Sequence, residues 1–581
     1  MNRRTAAASF VCLFFFQALS WATDPFSDYV DWRYRPPKMQ IKNIEGLEQR
    51  IRDGKLHLRL QEFLELALKN STDIQLTKLD VYTAANDITA NKAPFDPLLT
   101  LGFNTLRSVS PLSFVSFGGS GSTGIIAGST GSSGSGQTGG TGTGATSTGG
   151  QVILPQTISS LSQNSTANYT ELLPTGQTVQ ANFSVFRSSG DGYLYPALFG
   201  ALNVTLTQHL LQNRTNLQAK GPLQIARTQL LITSERSQAT IADSIATAAR
   251  QYWSAIEMRD TVGVQEQNVE LARKSYEHDK QALDLGALAR LDIYQSETQV
   301  AERNRDLIAA KFQYKSALDA MRRVIGADLT PALRDTEIVL EDNAASLPPK
   351  SSILPFEKAL AKAVQSRPEN LAARQQFAID KVNERIARDQ LLPLFDLSMQ
   401  GGGTGPGFNQ ASNSNGGTGN VPNPYPGLGP TLGQVLAFNY PSYGFGLTLN
   451  FPFRNSSARA SLSNAVVSRV RDQYTQRQTE QQITFDVRQA LNSLELADAS
   501  IDAATRARDL ARKNVDAEQQ KYQLGTITAF EVLDSQTRLA SSESALLAAY
   551  VGYQQAFIDY QRATWTLLDG LGMVVESPSN Q

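Results

Sequence analysis

The chain has 581 residues, with 53 basic against 54 acidic side chains and a net charge of −1. No basic excess points to nucleic acid. Three histidines and one cysteine leave little from which to build a metal centre or a thiol nucleophile.

The first element, "MNRRTAAASFVCLFFFQALSWAT", joins basic Arg3 and Arg4 to an apolar run from Phe10 to Leu19 and then to small residues at Ser20 and Ala22. This predicts a signal peptide over residues 1–22, since the run is too short for a membrane anchor. Cys12 lies inside it, so the mature chain has no thiol, and loss of Arg3 and Arg4 takes the charge to −3. His57, His209 and His278 are isolated and read as surface or packing residues. No catalytic residue, cofactor site or metal site is expected.

Residues 23–57 read as an irregular periplasmic leader. From "LHLRLQEFLELALKN" the pattern is helical, with Leu60, Leu64, Ala67 and Leu68 on one stripe, until Pro94 and Pro97 end it. A strand follows, with Leu99, Leu101 and Phe103 alternating with Thr100, Gly102 and Asn104. Residues 108–200 read as a long external loop whose centre is Gly/Ser/Thr low complexity. Gly119, Gly121 and Gly124 match a G-x-G-x-x-G spacing, but no strand–turn–helix surrounds them, so no nucleotide site is assigned. Behind that tract, near 168–189, "NYTELLPTGQTVQANFSVFRSS" predicts a hairpin turning at Thr175-Gly176. It is either an extension of the loop or two further membrane strands. A returning strand alternates Val204 and Leu206 with Asn203, Thr205 and Thr207. The long helix from Pro222 to Leu285 then turns at Leu285-Gly286 and returns over Leu291–Val324.

The same order recurs. Ala67 matches Ala363 and Pro97 matches Pro393 at one offset; Leu285-Gly286 matches Leu524-Gly525; Ser296 and Thr298 match Ser535 and Thr537. The reading is therefore a first repeat over 58–326, a linker over 327–351, a second repeat over 352–570 and a tail over 571–581. The second repeat has its own external loop over about 401–441 and a strand alternating Tyr443, Phe445, Leu447, Leu449 with Gly444, Gly446, Thr448 and Asn450. Four isolated strands between very long helices do not make a soluble sandwich. Four strands per chain cannot close a barrel either, and an open sheet in lipid leaves unpaired amides that cost several kcal/mol each. The expected fold is an α+β membrane protein: a trimeric outer-membrane β-barrel with four strands per chain, continued by a long periplasmic α-helical barrel.

The duplicated order, with "LGTITAFEVLDSQTRLASSESALLAAYVGYQQAFIDY" and "LTLNFPFRNSSARASLSNA", resembles the TolC-like outer membrane efflux family over about Leu58 to Gly570. The resemblance implies a homotrimer in outer-membrane lipid. It would serve a tripartite efflux pump or type I secretion system, with a periplasmic adaptor and an inner-membrane transporter as partners. It implies a periplasmic entrance ringed by acids, here Glu531 and Asp534, three apart on one helix face. Thr528 and Glu531 also fit a capping box. The family's latch from an acid of the first hairpin to a Tyr and an Arg of the second maps onto Asp292 and Tyr522, while Ile527 stands where the arginine belongs. The tips at Gly286 and Gly525 are the expected adaptor contacts. The other reading, a surface adhesin with a coiled-coil stalk, needs no duplicated strands.

Overall fold

The computed structural model describes residues 41, 46–47, 50–111, 157–190, 196–285, 290–329, 334, 336–406, 427–524 and 526–570. The signal peptide, the low-complexity tract and the C-terminal tail lie outside them.

Strands β1 (Ile51–Arg52) and β2 (Lys55–Leu58) form at the end of the leader expected to be irregular over 23–57. Helices α1 (Leu60–Asn70) and α2 (Thr72–Ala90) follow, broken where Ser71 turns extended at ψ 124°. Strands β3 (Leu98–Pro111), β4 (Thr157–Leu172), β5 (Gln177–Gly190) and β6 (Ala197–His209) lead into the long hairpin α3 (Leu217–Asp284) and α4 (Arg290–Ile325). After β7 (Glu337–Leu340) come α5 (Phe356–Ser366), α6 (Pro368–Asp389) and β8 (Leu394–Gly405). A short helix α7 (Leu428–Leu436) precedes β9 (Tyr440–Asn450), and the second long hairpin is α8 (Ser456–Gln523) and α9 (Ala529–Ala563). Helices α3 and α8 each have 68 residues, about 100 Å at 1.5 Å per residue. Among the described residues no helix is long and apolar enough to cross a membrane.

The larger sheet corrects the expected strand count. Its order is β3-β4-β5-β6-β8-β9, antiparallel throughout, so six strands stand where four were expected. The reason is the hairpin behind the low-complexity tract. Its two strands pair along the full lengths of β3 and β6 instead of folding away as a loop. The external loop set at 108–200 therefore contains the end of β3, all of β4 and β5, and the start of β6. The loop set at 401–441 likewise holds the end of β8, all of α7 and the first residues of β9.

Cross-strand register puts Leu101, Ala167, Phe183, Leu202 and Val204 on one face with Met399, Phe445 and Leu447. That face is open: Phe103 is 68% and Phe445 81% exposed. An exposed apolar surface of this extent belongs against lipid. Helix α7 lies flat on the same face, over buried Leu198 and Val185. The approach is so close that a Cβ on Gly405 would sit 2.6 Å from the Thr431 carbonyl oxygen.

The main core lies halfway along the long helices. There β1, β2 and β7 form a small sheet, β2 and β7 in parallel, that joins the start of the chain to the linker. Leu58, Phe63, Leu64, Ile245, Tyr252, Ile256, Met321 and Ile325 pack around it. The Tyr252 hydroxyl donates to the Leu58 carbonyl (3.0 Å) and to Asp342 Oδ2 (2.7 Å), which also accepts from the Leu60 amide (2.7 Å). Burial and the Asp342 carboxylate push the Tyr252 hydroxyl far above the usual phenol range. A second core joins Ala359 and Ala363 of α5 to Ile483, Val487 and Leu494 of α8 and Tyr553 and Tyr560 of α9. Beside it Arg367, its side chain only 4% exposed, binds Glu369 Oε1 (3.0 Å) and Asp486 Oδ2 (2.9 Å). Burial pushes Glu369 up, but Arg367 and Arg562 together hold it below the usual carboxylate range.

Candidate functional site at the hairpin tips

Both long hairpins turn at the same end. α3 closes on Leu285 and α8 on Leu524, each in helical geometry, and α9 restarts after Thr528 at φ −87° and ψ 160°. Gly286 and Gly525, the expected adaptor contacts, lie outside the described residues, as does the side chain of Asp292.

One turn and a half before the first tip, the structure brings together Asp279, Ser296, Tyr522 and His278. Asp279 is 3% exposed and sits on the buried stripe of α3 that also carries Val269 and Ala272. Its Oδ1 accepts from the Tyr522 hydroxyl of α8 at 2.9 Å, and its Oδ2 accepts from the buried Ser296 hydroxyl of α4. His278 Nδ1 is 3.5 Å from the same Oδ1, and its ring lies 5.6 Å from that of Tyr522. A buried carboxylate is tolerated only when hydrogen bonds replace its water. Here the replacement donors come from three helices, so the carboxylate ties α3 both to its own hairpin partner and across to the second hairpin. Close by, Arg303 Nη2 of α4 donates to Thr537 Oγ1 of α9, a second bond between hairpins.

Among the described residues the acid of the first hairpin that accepts from Tyr522 is Asp279; the side chain of Asp292, the partner expected from the resemblance, lies outside them. Sequence reasoning missed Asp279 and took His278 for an isolated residue. The available signal was an acid at 3-4-3 spacing on a helix stripe with Val269, Ala272 and Tyr276, a position that ought to be apolar. Ser296 and Ser535 occupy matching places in the repeated motif but act differently. Ser296 reaches Asp279, whereas Ser535 bonds back to the Val532 carbonyl (2.7 Å).

The two entrance acids lie on the first turns of α9. Thr528 makes no side-chain cap bond, so the capping box does not form; the exposed Glu531 is held by its amide, which donates to the Thr528 carbonyl at 3.2 Å. Asp534 is half-exposed and pairs with Arg538 at 2.8 Å, one turn on. Among the described residues no group of three His, Cys, Asp or Glu is placed to hold a metal.

The sequence profile of the family described as outer membrane efflux protein matches residues 359–564. The outer membrane protein TolC of Vibrio cholerae serotype O1 is 24% identical over 331 residues, 57% of this chain and 69% of that one. The outer membrane efflux protein BepC of Brucella suis biovar 1 is 24% identical over 381 residues, 64% of this chain and 72% of that one. In three dimensions the chain is similar to the CmeC outer membrane channel of Campylobacter jejuni, with a TM-score of 0.59 at 11% identity over 94% of this chain and 92% of that one.

Proposed function

Because the chain belongs to the TolC-like outer membrane efflux protein family, we propose that it is the outer-membrane exit channel of a tripartite efflux pump or type I secretion system. The observation that carries this reading is the continuity of two walls. A sheet with an open apolar face runs directly into helices about 100 Å long. The sheet suits the lipid of the outer membrane and the helices suit the aqueous periplasm. Strand β3 runs outward and β9 runs inward, so the free edge of one copy meets that of the next antiparallel. Closure through further copies satisfies both rows of amides, and the family resemblance supports three copies.

Transport through such a wall is passive. The chain supplies the duct, an inner-membrane transporter supplies the energy, and a periplasmic adaptor docks at the tips, Gly286 and Gly525. The Asp279–Tyr522 bond is the latch that holds the two hairpins together at the entrance, with Asp292 on the same turn region. Glu531 and Asp534 from three copies gather carboxylates around the aperture and favour cations there. No catalytic step belongs to this scheme.

Reconstitution tests it. Purified chain in planar bilayers is expected to give discrete conductance steps and to migrate as a trimer in mild detergent. A monomer that inserts without conductance contradicts the channel reading.

A further inference from the structure

We propose that the β4–β5 hairpin is a permanent part of the membrane wall, so that three copies of the six-stranded sheet close an eighteen-stranded barrel with an exit for bulky solutes. The inference rests on the three-copy channel reading and adds to it the size class of the cargo.

Three observations carry it. The first is register. β4 pairs with β3 from Leu98↔Thr170 to Pro111↔Thr157, and β5 pairs with β6 from Gln177↔Gln208 to Ser188↔Ala197. A hairpin hanging outside the membrane would leave β3 and β6 as neighbours; here it separates them over their whole length. The second is the turn at the periplasmic edge. Asn216, fully buried at the root of α3 with φ 50°, donates from Nδ2 to the Leu173 carbonyl at 2.7 Å. Gln208 Nε2 reaches the Gly176 carbonyl at 3.3 Å. Gly176 itself has φ 105°, and a Cβ there would lie 2.0 Å from the Arg214 carbonyl oxygen. The turn is therefore locked into the junction between sheet and helices. The third is the pair of faces. Val179, Ala181, Phe183 and Val185 continue the apolar band of β6, while Asn168 and Asn182 line up with Thr100 and Asn203 on the other side. Asn182 Nδ2 donates to Asn168 Oδ1, so this inward row is cross-linked by amides and carries no charge.

Barrel width grows roughly in proportion to strand number, so at equal tilt the lumen is about 1.5 times as wide as a twelve-stranded one and about twice its cross-section. The same face carries Asp396 at its periplasmic edge, paired with His209 at 2.6 Å, so what the hairpin itself adds to the lining is width and neutral amides rather than charge.

The mature chain has no cysteine, which makes disulfide trapping clean. In membranes treated with a mild oxidant, Leu101→Cys with Ala167→Cys and Ala181→Cys with Val204→Cys are each expected to cross-link within one chain, while Leu101→Cys with Val204→Cys stays reduced. Formation of the Leu101–Val204 bridge, with the other two absent, overturns the proposal. Neutral polyethylene glycols of graded size, applied to a Tyr522→Phe channel in bilayers, give the second readout. The cut-off and the conductance are expected to fall when residues 157–190 are deleted, the conductance by less than the twofold change in barrel cross-section because the helical duct stays in series. Equal values with and without the hairpin overturn the wide exit. Failure of the channel reading looks different: the intrachain cross-links form, but in a monomer.

Discussion

The latch makes the sharpest prediction. Tyr522→Phe keeps the ring beside His278 and removes one hydroxyl, and with it the 2.9 Å bond to Asp279. A hydrogen bond to a charged acceptor contributes about 1.5–3 kcal/mol. With one such bond per copy and three copies opening together, the closed state loses about 5–9 kcal/mol, well over a thousandfold in the ratio of closed to open entrances. The control is built into the same carboxylate. Ser296 also donates to Asp279, but from α4, inside the first hairpin. Ser296→Ala therefore loosens that hairpin without releasing it from the second. Single-channel recording in planar bilayers is the assay: Tyr522→Phe raises open probability steeply, and Ser296→Ala lowers melting temperature with little change in gating. If Ser296→Ala opens the channel as readily as Tyr522→Phe, or neither does, the bond between hairpins is merely packing and the latch is wrong.

Three further outcomes are expected. Asp380 of α6 is buried beside Asp472, and burial with that neighbouring carboxyl pushes its pKa up from 3.8 to about 6. The folded chain keeps a proton that the unfolded chain releases between about pH 4 and 6, so stability falls as pH rises through that window and stays lower above it. Asp380→Asn should flatten this slope and raise the melting temperature at pH 7 but not at pH 4, read by thermal unfolding; equal slopes in the two proteins would sink the assignment. Gly176→Val forces a branched side chain into φ 105° and against the Arg214 carbonyl. It should cut the yield of heat-resistant oligomer, measured on unboiled gels, whereas Gly54→Val, at φ 75° with open space around it, should cut it less. Leu447→Arg places a charge on the open apolar face, costing about 2–4 kcal/mol near the bilayer midplane, and should lower the fraction inserted into vesicles; undiminished insertion would mean that β9 does not face lipid.

The long helices and their tips were legible because their signals are local. Nearly breaker-free Ala- and Leu-rich runs end in Leu-Gly, and α3 starts and stops within a few residues of the expected bounds. The strands near the helices were legible from alternation. The place of β4 and β5 was not, because β4 reads Thr157-Ile-Ser-Ser-Leu-Ser-Gln-Asn-Ser-Thr, polar on both faces, and its neighbours decide where it pairs. The Asp279–Tyr522 contact was half legible. Tyr522 follows from the motif, but its partner comes from a helix 243 residues away, and only packing of one hairpin on the other selects Asp279 over other acids near the tip.

The two ends of the duct are coupled in their effect though not in their contacts. The wall is rooted to the helices by asparagines: the Asn213 amide, at φ 56°, donates to Asp389 Oδ2 (2.7 Å), Asn216 holds the β4–β5 turn, and Asn455 Nδ2 donates to the Gln390 carbonyl (3.0 Å). The latch lies the length of α3 away, about 100 Å. Two resistances in series add, and the larger sets the current. While Tyr522 holds Asp279 the entrance dominates, so a wide barrel and a narrow one conduct alike. Only in the unlatched channel does the width of the exit become measurable. The hairpin therefore changes which cargo leaves without changing when the channel opens, since the strands that widen the wall meet α3 only at its root, about 100 Å from the bond that shuts the entrance.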